Sequence, residues 1–161
     1  MEIEINIVKL KKYASECSVL YVEDDELIRT QTASFLGRFF SDIVLAEDGE
    51  IGLKKYKSRK FDVVITDINM PNMNGIEMIT AIKDIEYEQK IIVTSAYNDS
   101  QYLMSLINLN VNRFVLKPFN NKQFLYVLYK IAEELTFNKE NAKLQEEITS
   151  LSKRADRACQ P

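Results

Sequence analysis

Short apolar runs alternate with amphipathic stretches along nearly the whole chain. The runs at 18–22, 42–46, 62–66, 90–94 and 112–116 read as strands. The 3.6-residue periodicity between them predicts helices over 25–38, 49–58, 75–84, 99–109 and from 121 onward. Five successive βα units imply an α/β class: a doubly wound parallel sheet with helices on both faces, joined by right-handed crossovers. Continuous runs such as Ile91-Ile92-Val93 fit strands covered on both sides.

Turn chemistry agrees with these borders. Asp48-Gly49 and Asn74-Gly75 stand at strand-to-helix turns, and Asn98-Asp99-Ser100 offers caps before the fourth helix of the series. Residues 1–16 form a preface in which Ile3, Ile5, Ile7, Val8 and Leu10 suit either a strand or a docking helix. At the other end, no proline or glycine interrupts 121 to about 157, so a helix on the order of 55 Å long is expected to leave the globule. Phe137, Asn141, Leu144, Ile148, Leu151, Ala155 and Ala158 follow alternating spacings of four and three. That is the seam of a coiled coil, with Asn141 placed to set its register. Residues 136–161 thus read either as a dimerising coiled coil or as a solvated linker.

The bulk numbers narrow the class. A chain of 161 residues, 46% hydrophobic, suits one domain, here 17–135, plus an appendage. A net charge of −3 gives no reason to expect nucleic-acid or membrane-surface binding by this segment. Cys17 and Cys159 belong to no paired-cysteine motif. The N-terminus carries acids where a signal peptide needs positive charge, and no apolar run reaches membrane-spanning length; a reduced, cytoplasmic protein is the expectation. Histidine is absent, which removes histidine-based triads and a phosphohistidine on this chain. Gly37, Gly49, Gly52 and Gly75 spell neither a P-loop nor a dinucleotide fingerprint.

Chemistry concentrates at strand ends. Glu23-Asp24-Asp25 follows the first strand, Asp67 the third, Thr94-Ser95 the fourth and Leu116-Lys117-Pro118 the fifth. In an open parallel sheet the carboxyl edge is where ligands collect. If the first and third strands are neighbours, their acids converge, and repulsion between them favours a divalent cation such as Mg²⁺ or a retained proton. An aspartate there can act as a nucleophile toward phosphorus if Mg²⁺, Lys117 and Thr94 neutralise the developing charge. Lys117 supplies a mobile point charge, Thr94 a hydrogen-bond donor, and Pro118 an extended or cis turn. Each residue has a plainer reading as well. The acidic triplet suits a helix cap, Asp67 a loop cap, Lys117-Pro118 a turn and Thr94 a strand terminus.

Taken together, Glu23-Asp24, Asp67, Thr94 and Lys117, with the phrase Asp67-x-x-Met70-Pro71-x-Met73-x-Gly75, resemble the receiver domain of bacterial two-component response regulators over roughly 17–135. The resemblance implies a flavodoxin-like (βα)5 fold with strand order 2-1-3-4-5. It implies phosphorylation of Asp67 by a partner histidine kinase or phosphotransfer protein, and Mg²⁺ held by Glu23, Asp24, Asp67 and the backbone carbonyl of Asn69. No enzyme activity is implied beyond self-phosphorylation and autodephosphorylation. Phe114 matches the family's aromatic switch position, Thr94 its companion. Their movement would alter the face of the fourth helix, fifth strand and fifth helix, a second possible homodimer surface beside the C-terminal helix.

Two departures stand out. Leu109-Asn110-Val111 replaces the family's frequent Ala-Gly-Ala, with asparagine suited to a left-handed helix end. Phe114 stands where tyrosine is common, so a hydroxyl contact is lost; Phe114 and Val111 also suit plain core. The competing function is a receiver-shaped interaction module that dimerises without phosphorylation, and a flavin-binding analogue is the third.

Overall fold

The computed structural model describes residues 4–96 and 100–160. Helix α1 (Ile7–Ala14) precedes β1 (Ser18–Val22), α2 (Glu26–Leu36), β2 (Asp42–Ala46), α3 (Gly49–Ser58), β3 (Val63–Asp67) and α4 (Gly75–Ile85). Then come β4 (Lys90–Ser95), a 3₁₀ turn (Ser100–Tyr102), α5 (Leu103–Asn108), β5 (Arg113–Leu116) and α6 (Asn121–Ala158). The strands form one parallel sheet in the order β2-β1-β3-β4-β5. This is the flavodoxin-like arrangement, with a long C-terminal helix, that the sequence reading anticipated.

Alternate residues of each strand feed two cores. On one face Val19, Tyr21, Val63, Ile65, Ile92 and Val115 pack with α1, α2 and α6 through Leu10, Leu36, Phe124 and Leu128. Phe35, Phe124 and Phe119 stack in succession there, with centroids 5.6 and 5.1 Å apart. On the other face Leu20, Val22, Val64, Ile91 and Val93 pack with α3, α4 and α5 through Tyr56, Met78, Ile79, Ile82 and Leu106.

The preface is a helix. Asn6 caps α1 by accepting from the Lys9 amide at 3.0 Å, and Leu10 and Ala14 are fully buried. Tyr13 meets Tyr129 of α6 with ring centroids 6.4 Å apart. Contacts from α6, more than a hundred residues downstream, decide what the local pattern left open.

The remaining borders shift for local reasons. Asp25 caps α2 rather than entering it, its side chain accepting from the Ile28 amide at 2.9 Å. Asp48 caps α3, and Asn74 forms a capping box with Glu77 at the start of α4. The helix expected over 99–109 opens as the 3₁₀ turn and becomes α-helical at Leu103; the caps assigned to Asn98 and Asp99 lie outside the described residues. α5 ends on Asn110 at φ 53°. The Asn110 amide donates to the Ile107 carbonyl and the Val111 amide to that of Leu106, at 3.0 and 3.2 Å, the paired bonds of a Schellman motif. Asparagine takes the left-handed position that the departure from Ala-Gly-Ala required.

Candidate functional site

Strand register builds the site before any side chain is considered. Val22 pairs with Thr66, so Glu23 and Asp67 each stand at the tip of neighbouring strands. Asp67 pairs with Thr94, and Ser95 with Leu116, which brings Lys117 to the same edge. The Lys117 amide donates to the Ser95 carbonyl at 2.8 Å, holding the end of β5 beside that of β4. The Lys117-Pro118 peptide is cis.

The side chains meet there. Lys117 Nζ donates to Glu23 Oε2 at 2.6 Å and to Asp67 Oδ2 at 2.9 Å. The other Asp67 oxygen accepts from the Ile68 amide at 2.7 Å. One carboxylate oxygen from each of Glu23, Asp24 and Asp67 lies within 4.8 Å of the other two. Glu23 and Asp67 are buried, while Asp24 is exposed and opens the cluster to solvent. Burial pushes the Glu23 carboxyl above its ordinary range, against the opposing pull of Lys117. The Lys117 ammonium is held above its ordinary value: burial opposes the charge, but its hydrogen bonds to Glu23 and Asp67 outweigh that.

Thr94 contributes a different kind of observation. It is fully buried, and its hydroxyl has no hydrogen-bond partner among the described residues. Such a group costs about 1–3 kcal/mol, which makes it a conspicuous feature of a strand whose end adjoins Asp67.

The loop after Asp67 is drawn tight by two glycines. A Cβ at Gly75 would collide with the Asp67 carbonyl oxygen, and one at Gly49 with that of Met73. The Gly75 amide donates to the Ile68 carbonyl at 2.7 Å and the Gly49 amide to Met73 at 3.1 Å. Asn72, at φ 66°, donates from its side chain to Asp48 at 2.8 Å. The family-like phrase from Asp67 to Gly75 is therefore a folded loop that returns to its own strand end. Exposed Asn69 stands in it, two residues past Asp67.

Phe114 is 36% exposed on β5 and belongs to neither core, whereas Val111 packs with the core beneath α5. Leu103, Met104 and Ile107 of α5 and Leu116 of β5 are exposed as well, so the α5–β5 face is apolar. A cleft of about 440 Å³ lined by Ile28, Thr32, Phe35, Lys117, Pro118 and Phe124 opens beside the ammonium.

Two site residues escaped the sequence reading. Arg29 donates to the Glu23 and Asp24 carbonyls at 2.8 and 3.2 Å and so fixes the acidic turn from the first turn of α2. The Ile68 amide is the second. Neither a common helix arginine nor a backbone amide leaves a signal in the sequence. The triplet itself divides: Asp25 is the helix cap of the plainer reading, while Glu23 and Asp24 join the cluster.

Fold and site together define a receiver-type α/β domain, and comparison with known proteins agrees. The chain belongs to the response regulator receiver domain family, whose profile matches residues 19–129. It is 32% identical over 116 residues to chemotaxis protein CheY of Thermotoga maritima, covering 71% of this chain and 97% of that protein. It is 35% identical over 116 residues to the CAI-1 autoinducer sensor kinase/phosphatase CqsS of Vibrio cholerae, covering 70% of this chain but 17% of that protein. A response regulatory protein of Staphylococcus epidermidis, 30% identical, is matched over 47% of its length, so the chain spans less than half of several relatives. Among solved structures, the N-terminal domain of a Wolinella succinogenes protein superposes with a TM-score of 0.71 at 31% identity, covering 76% of this chain and 98% of that one. Among the described residues no helix is long and apolar enough to cross a membrane.

Proposed function

We propose that this chain is the phosphoacceptor of a two-component pathway and that Asp67 receives a phosphoryl group from the phosphohistidine of a partner histidine kinase or phosphotransfer protein in the cytoplasm. An Asp67 carboxylate oxygen attacks phosphorus as the phosphorus–nitrogen bond breaks. The departing imidazole nitrogen keeps the electron pair and takes up a proton from solvent. The product is an acyl phosphate on Asp67, and attack of water on its phosphorus returns the carboxylate and inorganic phosphate.

The carboxylates of Glu23, Asp24 and Asp67 suit magnesium, which takes few protein oxygens and keeps several waters; exposed Asp24 leaves room for them. The Asn69 carbonyl would complete the protein's share. Bound there, Mg²⁺ would offset negative charge on the phosphoryl oxygens. Lys117 already touches Asp67 and would pass from the carboxylate to a phosphoryl oxygen. Thr94 would give its unpartnered hydroxyl to another. Inward rotation of the half-exposed Phe114 behind Thr94 would then reshape the α5–β5 surface.

The observation that carries this reading is the Lys117 ammonium spanning Glu23 and Asp67 beside a buried, unpaired Thr94 hydroxyl. Incubation with Mg²⁺ and a small-molecule acyl phosphate should add the mass of one phosphoryl group to the intact protein and none to Asp67→Asn. An unchanged mass with every donor overturns the reading.

A further inference from the structure

Helix α6 changes character along its length. Phe124, Val127, Leu128, Ile131 and Ala132 are buried against the sheet. The next turns are tied down by Lys90 to Glu134 at 2.6 Å and Lys139 to Asp62 at 3.2 Å, with Lys139 Nζ also donating to the Glu16 carbonyl at 3.4 Å. Every described residue from 137 to 160 is exposed, although the helix runs on to Ala158. Phe137, Leu144, Ile148 and Leu151 are 61, 55, 59 and 62% exposed. An unsupported helix carrying a line of large apolar residues is marginal in water, and a partner that covers the line stabilises it.

We propose that a second copy of this chain covers that line, forming a parallel, in-register two-stranded coiled coil from Phe137 to Ala158. The pattern is self-complementary in composition as well as spacing. Leu144 and Leu151 each lie three residues after their predecessor in the seam and occupy d positions, as does Phe137; Ile148 lies four after Leu144 and occupies an a position. β-branched residues at a with leucine at d favour two parallel strands.

Asn141, also at an a position, selects the direction. In a parallel, in-register pair it meets its own copy, and the two amides can hydrogen-bond across the seam. An antiparallel overlap sets it against Leu151 or Ala158 and buries an unpaired amide. Flanking charges allow the parallel pairing: Glu140 faces Gln145, Glu147 faces Ser152 and Arg154 faces Cys159, so no like charges oppose each other. Because α6 is continuous from the sheet to the seam and braced at its exit by α1 and Lys139, the two receiver cores would sit side by side at one end. The two Cys159 residues would stand level with each other at the other end, within reach of a short cross-linker.

The native cysteines provide the test. Cys17 is 2% exposed and Cys159 is exposed, so a short-spacer bismaleimide reaches Cys159 in the folded chain. Sedimentation equilibrium of the full chain is expected to show a concentration-dependent dimer, and the reagent to link Cys159 to Cys159. Either antiparallel overlap would hold those thiols roughly 30–40 Å apart. The double variant Leu144→Lys with Leu151→Lys alters two positions exposed in the single chain, so its fold should persist while association weakens on the order of a hundredfold. Asp67→Asn should dimerise normally, which separates the seam from phosphoryl uptake. A monomer at every concentration, a dimer that does not link through Cys159, or one that tolerates both lysines overturns the proposal.

Discussion

Lys117 Nζ lies 2.6 Å from Glu23 Oε2, although the two residues stand 94 positions apart in the chain, and one of them is almost wholly buried. Removing the ammonium leaves that carboxylate without its cation. In chelator at neutral pH, Lys117→Met should lower the unfolding free energy by about 3 kcal/mol in urea titration. Burial raises the Glu23 carboxyl above 4.5, so stability from its protonation is present below that value and lost as pH rises through its folded pKa. The deficit of the variant should therefore shrink toward pH 4. A deficit independent of pH contradicts this account of the pair.

Magnesium should raise the Tm of the unmodified chain by binding the folded state alone. Glu23→Gln and Asp24→Asn should lose most of that increment, since each removes a carboxylate from the cluster. Equal increments in all three proteins would place the ion elsewhere.

Thr94→Val replaces an unpartnered buried hydroxyl with a methyl group. The unphosphorylated protein should gain about 1 kcal/mol while phosphoryl uptake or retention falls. Paired urea and intact-mass measurements check both halves. Lower stability would mean that the hydroxyl is satisfied in the resting protein.

Burial pushes the Cys17 thiol up to about 11, with nearby Asp62 adding to the effect. A colourimetric thiol reagent at neutral pH should titrate Cys159 at once and Cys17 only on unfolding. The raised thiol lends stability that is present below the unfolded value of 9.0 and lost as pH rises through about 11. Two fast thiols in the native protein would show that the packing of α1 over Cys17 is loose.

The left-handed residue at the end of α5 gives a backbone prediction. Asn110→Gly should be tolerated, whereas Asn110→Val should cost about 1–2 kcal/mol, because a β-branched side chain resists φ 53°.

Strand ends were readable in the sequence because the chemistry is local to them: an apolar run stops and an acid, hydroxyl or lysine follows. Of the four strand ends anticipated at the site, those after Val22 and Leu116 agree with the structure, and β3 and β4 each run one residue longer, to Asp67 and Ser95. Asn110 was readable through the stereochemistry of its turn. The helical state of 7–14 was not, because Tyr129 and its neighbours on α6 decide it. Nor was the Arg29 clamp, whose meaning depends on carbonyls that turn toward it only in the folded chain.

Asp67 alone is expected to carry the phosphoryl group. Borohydride reduces an acyl phosphate, but not a free carboxylate, to the alcohol, so an aspartyl phosphate becomes homoserine. After phosphorylation with Mg²⁺ and an acyl phosphate, reduction and peptide sequencing should find homoserine at position 67 alone. Homoserine at Asp24 or elsewhere, or at no position in a protein that has taken up phosphate, would contradict it.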